Sequence, residues 1–250
     1  MTSGCRSGTA LAAVVAAATL WRANAAAAEP IDFGPDLREA GWTVVSFPGI
    51  APAAFKASSR ETLSVVADSA AGLLWRTASV AEARAGTARW RWRVAEGAPA
   101  TDLTRRGADD RALALYFVFG AAADHGKPPL ALLGSSSVTA LAYVFGGNSP
   151  RGVVLPSPHM GKRGKFIVLR DARARKGVWF EERLDIRADY QRAFGKAALL
   201  LLAVAISSDC DDTRTRNRAD VSALALGEAD RPESPKRRST PSEPRRSPSQ

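Results

Sequence analysis

Carboxylates gather at three places in this chain of 250 residues, each time beside different neighbours. Gly107-Ala108-Asp109-Asp110-Arg111 sets two adjacent acids and a guanidinium at the entrance of a strongly apolar run. Such a set can bind a cation or sugar hydroxyls; equally it can be a turn whose carboxylates accept backbone N–H groups. Asp209-Cys210-Asp211-Asp212-Thr213 follows the most apolar run of the chain. Its three carboxylates repel one another unless they are solvated or share a cation. Asp209, Asp211 and Thr213 alternate like the start of a calcium loop, with Asp220 at the loop's closing position, but Arg214 stands where such a loop needs Gly. A calcium site of another kind on Asp209, Asp211 and Asp212 is therefore set against an acidic turn paired with Arg214, Arg216 and Arg218. In Trp179-Phe180-Glu181-Glu182-Arg183 the two glutamates would face opposite sides of a strand, so one cleft can use only one of them. Glu182 is a candidate to face another acid across the roughly 5–9 Å that glycosidases use. A cross-strand ion pair is its alternative role.

Sugar sites add aromatic faces on which pyranose C–H groups stack. Strand alternation sends most of the large rings, Trp42, Trp75, Trp90, Trp92 and Tyr116 among them, to the core. Tyr143 and Trp179 are left as candidates for a surface platform. His125 and His159 are the only histidines, both in loop-like segments where a solvated ring is the simpler reading. No nucleophile elbow, phosphate loop or dinucleotide fingerprint is present. With two cysteines and two histidines, a disulfide framework and a zinc finger are excluded, and calcium is the one cofactor the acids suggest.

These residues need a scaffold, and the pattern between them is all-β. Short apolar runs rich in β-branched and aromatic residues recur between Gly, Pro, Ser and Asp. Ten are expected to be strands: 42–47, 62–67, 72–76, 87–94, 111–119, 138–145, 165–170, 178–183, 199–207 and 221–226. In Thr87–Val94 the alternation is clear, with Trp90, Trp92 and Val94 on one face and Arg89, Arg91 and Arg93 on the other. One short helix is expected over Asp189–Gly195, opened by the Asp and closed by the Gly. Residues 120–137 read as a long loop. The sum is a two-sheet antiparallel β-sandwich, jelly-roll-like.

The ends are different material. Arg6, the apolar stretch Thr9–Leu20 and small residues at 23–28 read as an export signal over 1–28, with a stretch too short to span a membrane. The protein is thus expected in the periplasm or outside the cell, not as an integral membrane protein, with one domain over 29–229. Residues 230–250 form a Pro/Ser/Arg tail without large apolar side chains, expected to be disordered and able to contact anionic surfaces. The formal charge of +10 lies largely in the two ends, and the modest remainder argues against a specific nucleic-acid partner.

Taken in order, WRWRV (90–94), GADDRALALYFVFG (107–120), LAYVFG (141–146), FIVLR (166–170), GVWFEERLDIRADYQRAFG (177–195) and AISSDCDD-T (205–213) resemble a family of bacterial exported proteins called domain of unknown function 3047. The resemblance runs from about Trp42 to Leu226. Here the loop after the acids is Arg-rich (TRTRNR), where the family usually has small residues. The resemblance implies an exported sandwich and no reaction. Three functions remain open: a non-catalytic module binding a cell-envelope or extracellular glycan, a carbohydrate-active hydrolase or lyase pairing Asp109 or Asp110 with Glu182 or Asp209, and a structural or protein-interaction domain. They separate by shape: a flat aromatic face, carboxylates converging in a groove, or a contiguous apolar patch.

Overall fold

The computed structural model describes residues 28–228. The stretch expected to be an export signal, but for Ala28, and the basic tail lie outside the described residues. In chain order the elements are β1 (Trp42–Val45), β2 (Ala51–Pro52), β3 (Ala54–Ser59), β4 (Thr62–Asp68), β5 (Ala70–Thr77), β6 (Thr87–Glu96), β7 (Arg111–Gly120), α1 (Pro129–Gly134), β8 (Thr139–Phe145), β9 (Val154–Ser157), β10 (Gly161–Arg170), β11 (Phe180–Asp185), α2 (Ile186–Phe194), β12 (Leu200–Asp209) and β13 (Arg216–Gly227). All ten expected strands are there. β2, β3 and β9 are additional: β2 is a two-residue strand beside β5, and β3 and β9 lie at sheet edges, where a mixed pattern and Pro156 are tolerated.

The strands form two stacked sheets, a jelly-roll-like sandwich. The larger runs β1-β5-β12-β7-β8-β10-β9, with β2 beside β5; the smaller runs β11-β6-β13-β4-β3. Pairing is predominantly antiparallel, as expected, with β8–β10 and β2–β5 parallel. The cause at β8–β10 is β9, which pairs antiparallel with β10 at the edge and turns β10 back into the direction of β8.

Hydrophobic burial between the sheets holds them together. Trp90, Trp92 and Val94 on β6 are at most 1% exposed, and they face Leu113, Leu115, Phe117 and Phe119 of β7 and Leu141, Tyr143 and Phe145 of β8. Trp90 and Trp92 meet edge to face at 5.5 Å, a favoured aromatic geometry. The central strand β12 buries both faces, Val204 and Ile206 between the sheets and Ala203 and Ala205 on the other side, as its unbroken apolar run predicts. A second layer of packing therefore lies outside the larger sheet. There α1, inside the stretch expected to be loop, sets Leu132 against Val138 and Leu202. α2 begins earlier than expected, because Asp185 and not Asp189 caps it, accepting N–H bonds from Arg187 and Ala188 at 3.0 and 2.8 Å. Gly195 ends it at φ 70°, as the sequence suggests. Among the described residues no helix is long and apolar enough to cross a membrane.

Candidate functional site

Outside the larger sheet a cleft of about 500 Å³ opens. Its floor is the outward face of β5, β12 and β7; loop residues 47–50, α1 and the β9–β10 turn wall it in. One side is apolar, with Phe47, Leu73, Trp75, Val118, Leu133 and Met160; the other carries Asp109, Arg111, Asp209, Asp211, Asp212 and His159, with Tyr116 and Ser207 between.

Arg111 is the centre of the polar side, and a bulge puts it there. The β7–β12 register slips between Ser207 and Asp209, where Ala112 and Leu113 are both buried between the sheets. The extra residue reverses the alternation, so Arg111 joins Ala114, Tyr116 and Val118 on the outward face. Gly146 makes room for this turn: a Cβ there would lie 2.9 Å from the Arg111 Cα. Arg111 is 5% exposed. Its Nη1 donates to the Asp109 carbonyl at 2.9 Å and touches the carboxylates of Asp109 and Asp209 at 3.3 and 3.0 Å. Its Nη2 donates to the Tyr116 hydroxyl at 2.9 Å, and the plane lies 5.2 Å from the Phe166 ring. Burial works against its charge, but Tyr116, Asp209 and Asp109 more than restore it.

The neighbouring acids divide by environment. Burial would raise Asp109, yet His159 at 3.1 Å and Arg111 hold it below its ordinary value. Asp209 is pushed up to about 8 by burial and by Asp211 and Asp110, against the pull of Arg111. Asp212 is raised by burial and by Asp110, Asp211 and Asp109. Tyr116 is raised by burial against the pull of Arg111, so it keeps its proton, and that proton has no acceptor among the described residues. Asp110, like Asp109 just before β7, has other partners. It is fully buried, and its Oδ2 accepts from the backbone N–H and the hydroxyl of Thr213 at 2.7 and 2.5 Å. The turn reading thus describes Asp110 in part, although its backbone partner lies 103 residues away.

The acids after β12 do not form a calcium hand. Asp220 sits in β13, bound to Arg93 at 2.7 Å and Ser64 at 2.6 Å. The cation beside Asp209 is Arg111, not Arg214, Arg216 or Arg218, and Arg218 pairs with Glu96. One carboxylate oxygen each of Asp110, Asp209 and Asp211 lie within 4.8 Å of one another, so the close trio contains Asp110 where the spacing suggested Asp212.

Three expected site residues are elsewhere. Tyr143 is 0% exposed between the sheets, with its hydroxyl donating to Asp189 at 2.8 Å. It offers no surface face, because it falls on the inward side of β8 with Leu141 and Phe145. Trp179 lies on the smaller sheet's outer face, over Arg91 and Arg93 at 5.1 and 4.8 Å, away from the cleft. Glu182 is 2% exposed on β11, held by Trp92 Nε1 at 3.2 Å, Arg151 at 3.1 Å and Arg170 at 2.9 Å; burial pushes it up while Arg151 pulls it down. It is the ion pair, not a partner of Asp209. Sequence reasoning missed His159, Tyr116 and Asn217. Asn217 is fully buried on β13; it accepts from the Ala98 N–H at 2.7 Å and donates towards the carbonyls of Arg111 at 3.1 Å and Asp209 at 2.9 Å and the Ser208 hydroxyl at 3.0 Å. It fastens the two site strands to the opposite sheet. Cys210 is a free, buried thiol next to this anchor.

Residues 40–225 match a family described as protein of unknown function, DUF3047. No curated protein matches the chain. Solved structures with a similar fold include the xyloglucanase domain of NopAA, a type three effector from Sinorhizobium fredii, in complex with cellobiose, at 9% identity, covering 76% of this chain and 93% of that one, TM-score 0.41. A loop-swap mutant of Xyn11A from Necallimastix patriciarum matches at 11% identity over 74% of this chain and 94% of its own, TM-score 0.40. A cellulase derived from Cel12A of Rhodothermus marinus matches at 13% over 75% and 92%, TM-score 0.41.

Proposed function

We propose that this chain, which belongs to the DUF3047 family, binds a short neutral saccharide in the cleft outside its larger sheet. One observation carries this: Arg111, the free proton of Tyr116 and the oxygens of Asp109 and Asp209 converge opposite a wall containing Trp75. Each sugar hydroxyl both donates and accepts, so it suits a floor where donors and acceptors alternate. The C–H faces suit the apolar wall. The volume is within the roughly 300–1,000 Å³ of small-molecule sites. Four acids against one buried guanidinium disfavour an anionic ligand. Exported through residues 1–28, the domain meets glycans of the envelope or surroundings, in the periplasm or outside the cell. Its binding surface is an enclosed cleft in place of a flat aromatic platform.

A hydrolase is the second reading, and the convergence of two carboxylates favours it. Asp109 and Asp209 touch the same nitrogen of Arg111, so those oxygens are no further apart than the sum of 3.3 and 3.0 Å. That limit overlaps the roughly 5–5.5 Å between carboxyls of retaining glycosidases. The exposed large apolar residues Val44, Val80, Leu130 and Leu199 are spread over separate elements, which gives a protein-interaction role no comparable support.

The test is thermal melting of the full chain against neutral and acidic oligosaccharides. A neutral ligand at 100 times its dissociation constant adds about 2.7 kcal/mol. Tyr116→Phe should weaken that ligand about tenfold, equivalent to ~1.4 kcal/mol. No shift with any neutral saccharide, or an undiminished one in Tyr116→Phe, overturns the proposal. Release of reducing ends from a saccharide that binds decides for the hydrolase.

A further inference from the structure

We propose that Asp110, Asp209 and Asp211 hold a calcium ion beside the acidic wall of the cleft. Each offers a carboxylate oxygen, and the three lie within 4.8 Å of one another. Calcium sits about 2.3–2.6 Å from its oxygens, so it can span any two of the three even at that limit. Magnesium, at about 2.0–2.1 Å, would need the ligands to close in.

Proximity of acids is not by itself a site; the buried valences make it one. Asp110 is 0% exposed, and its Oδ1 has no hydrogen-bond partner although Thr213 saturates Oδ2. Asp209 Oδ1 is likewise buried and unpartnered. A buried polar atom without a partner is costly and rare in folded proteins, and here two carboxylate oxygens share that state in one cluster. Arg111 does not answer them. Its contact to Asp209 is through Oδ2, and it also serves Asp109 and Tyr116.

The charge balance points the same way. Asp109, Asp209, Asp211 and Asp212 line the cleft with a single buried guanidinium, Asp110 lies beside Asp209 and Asp211, and His159 is occupied with Asp109. Arg106 at the rim is exposed to solvent. A divalent ion supplies the missing positive charge with hard oxygen ligands of the type calcium prefers. The loop is tied for this purpose: the Thr213–Asp110 bonds hold the turn after β12 down, which brings Asp211 over the strand ends. With one oxygen each, three carboxylates fill at most half of calcium's six to eight positions, so its remaining sites face water or a ligand's hydroxyls.

A calcium ion on Asp209 occupies that carboxylate and removes it from proton transfer. The inference thus goes beyond saccharide binding and excludes a hydrolase that uses Asp209 as its acid.

Isothermal titration of calcium chloride into chelator-stripped full-length protein at pH 7.5, with melting curves alongside, is the experiment. The expected result is one saturable site and a rise in melting temperature. Asp211→Asn, on a half-buried residue, should fold and bind at least tenfold more weakly; Asp110→Asn should do the same wherever it folds. Asp220→Asn, in the Arg93 pair, should bind as the wild type does. No heat and no melting shift up to about 10 mM calcium, well above the range of extracellular calcium modules, overturns the site. That is the result if the carboxyls relieve their repulsion by sharing a proton. Unchanged binding in Asp211→Asn also overturns it, and equal affinity for magnesium overturns the assignment to calcium. Calcium binding without any saccharide response leaves this site standing and removes the saccharide reading; the converse result does the reverse.

Discussion

Asn217→Ala tests whether the site depends on the opposite sheet. The side chain is fully buried, and its amide satisfies the Ala98 N–H and shares its two hydrogens among the Arg111 and Asp209 carbonyls and the Ser208 hydroxyl. Truncation strands the N–H and weakens the two carbonyls, while Ser208 keeps its bond to the Ala112 carbonyl at 2.8 Å. A buried group left unpaired costs about 1–3 kcal/mol, so three groups of which one keeps no partner suggest a loss of about 3–5 kcal/mol. That is a large part of the roughly 5–15 kcal/mol of a typical domain. Asn217→Asp keeps the volume but turns a carboxylate oxygen towards three oxygens. Its carboxyl should have a raised pKa in the folded state. A raised carboxyl favours the folded state at low pH, so the deficit of Asn217→Asp should shrink as pH falls towards 4 and the new O–H donates. Urea unfolding followed by tryptophan fluorescence at pH 7.5 and 4.5 reads both. Asn217→Ala within about 1 kcal/mol of wild type, or an Asn217→Asp deficit that does not change with pH, refutes the anchor.

Trp90→Ala should lose about 3–5 kcal/mol, since a ring 1% exposed between Trp92, Phe117 and Tyr143 leaves a cavity; a variant melting like the wild type would place the ring outside the core. Arg111→Met leaves Asp109 and Asp209 without their cation and should cost about 3–5 kcal/mol in chemical unfolding. Arg111→Lys keeps the charge but not the fork to Tyr116 and should fall between, so an order of Met above Lys would contradict the assigned contacts. Burial would raise Glu82, but the Ser79 N–H and Arg76 hold it below the ordinary carboxylate value. Its contribution is therefore complete above that value and lost as pH falls through the folded one. Glu82→Gln should flatten that limb of the stability–pH curve, and an unaltered limb would show the Arg76 pair to be inert.

Most of the fold is legible because each strand announces itself locally. Trp90, Trp92 and Val94 against Arg89, Arg91 and Arg93 give a face as well as a strand. Where the run is apolar throughout, as in β8, the strand is visible but its faces are not, and Tyr143 is misread for that reason. Its position becomes determinate only when β8 pairs with β7 and Tyr143 falls opposite Leu115, inside the sandwich. The parallel pairing of β8 with β10 is equally invisible, because it follows from where β9 docks, a contact between segments without any pattern of their own.

The site is legible to the extent that its residues are neighbours in sequence. Asp109 with Arg111 and Asp209 with Asp211 stand out as local clusters, whereas His159 and Tyr116 reach them only through the sheet. One signal was nevertheless present. Arg111 has the parity of Leu113, Leu115, Phe117 and Phe119, so strict alternation would bury its charge between the sheets among those side chains. Burying an unpaired guanidinium there would cost more than a strand gains, so alternation must break between Arg111 and Leu113. A break of one residue is a bulge, and it delivers Arg111 to the face of Tyr116 and, across the pairing, of Ser207 and Asp209. The conflict between a strand's parity and a charged residue at its end thus locates both the irregularity and the face on which the chemistry collects.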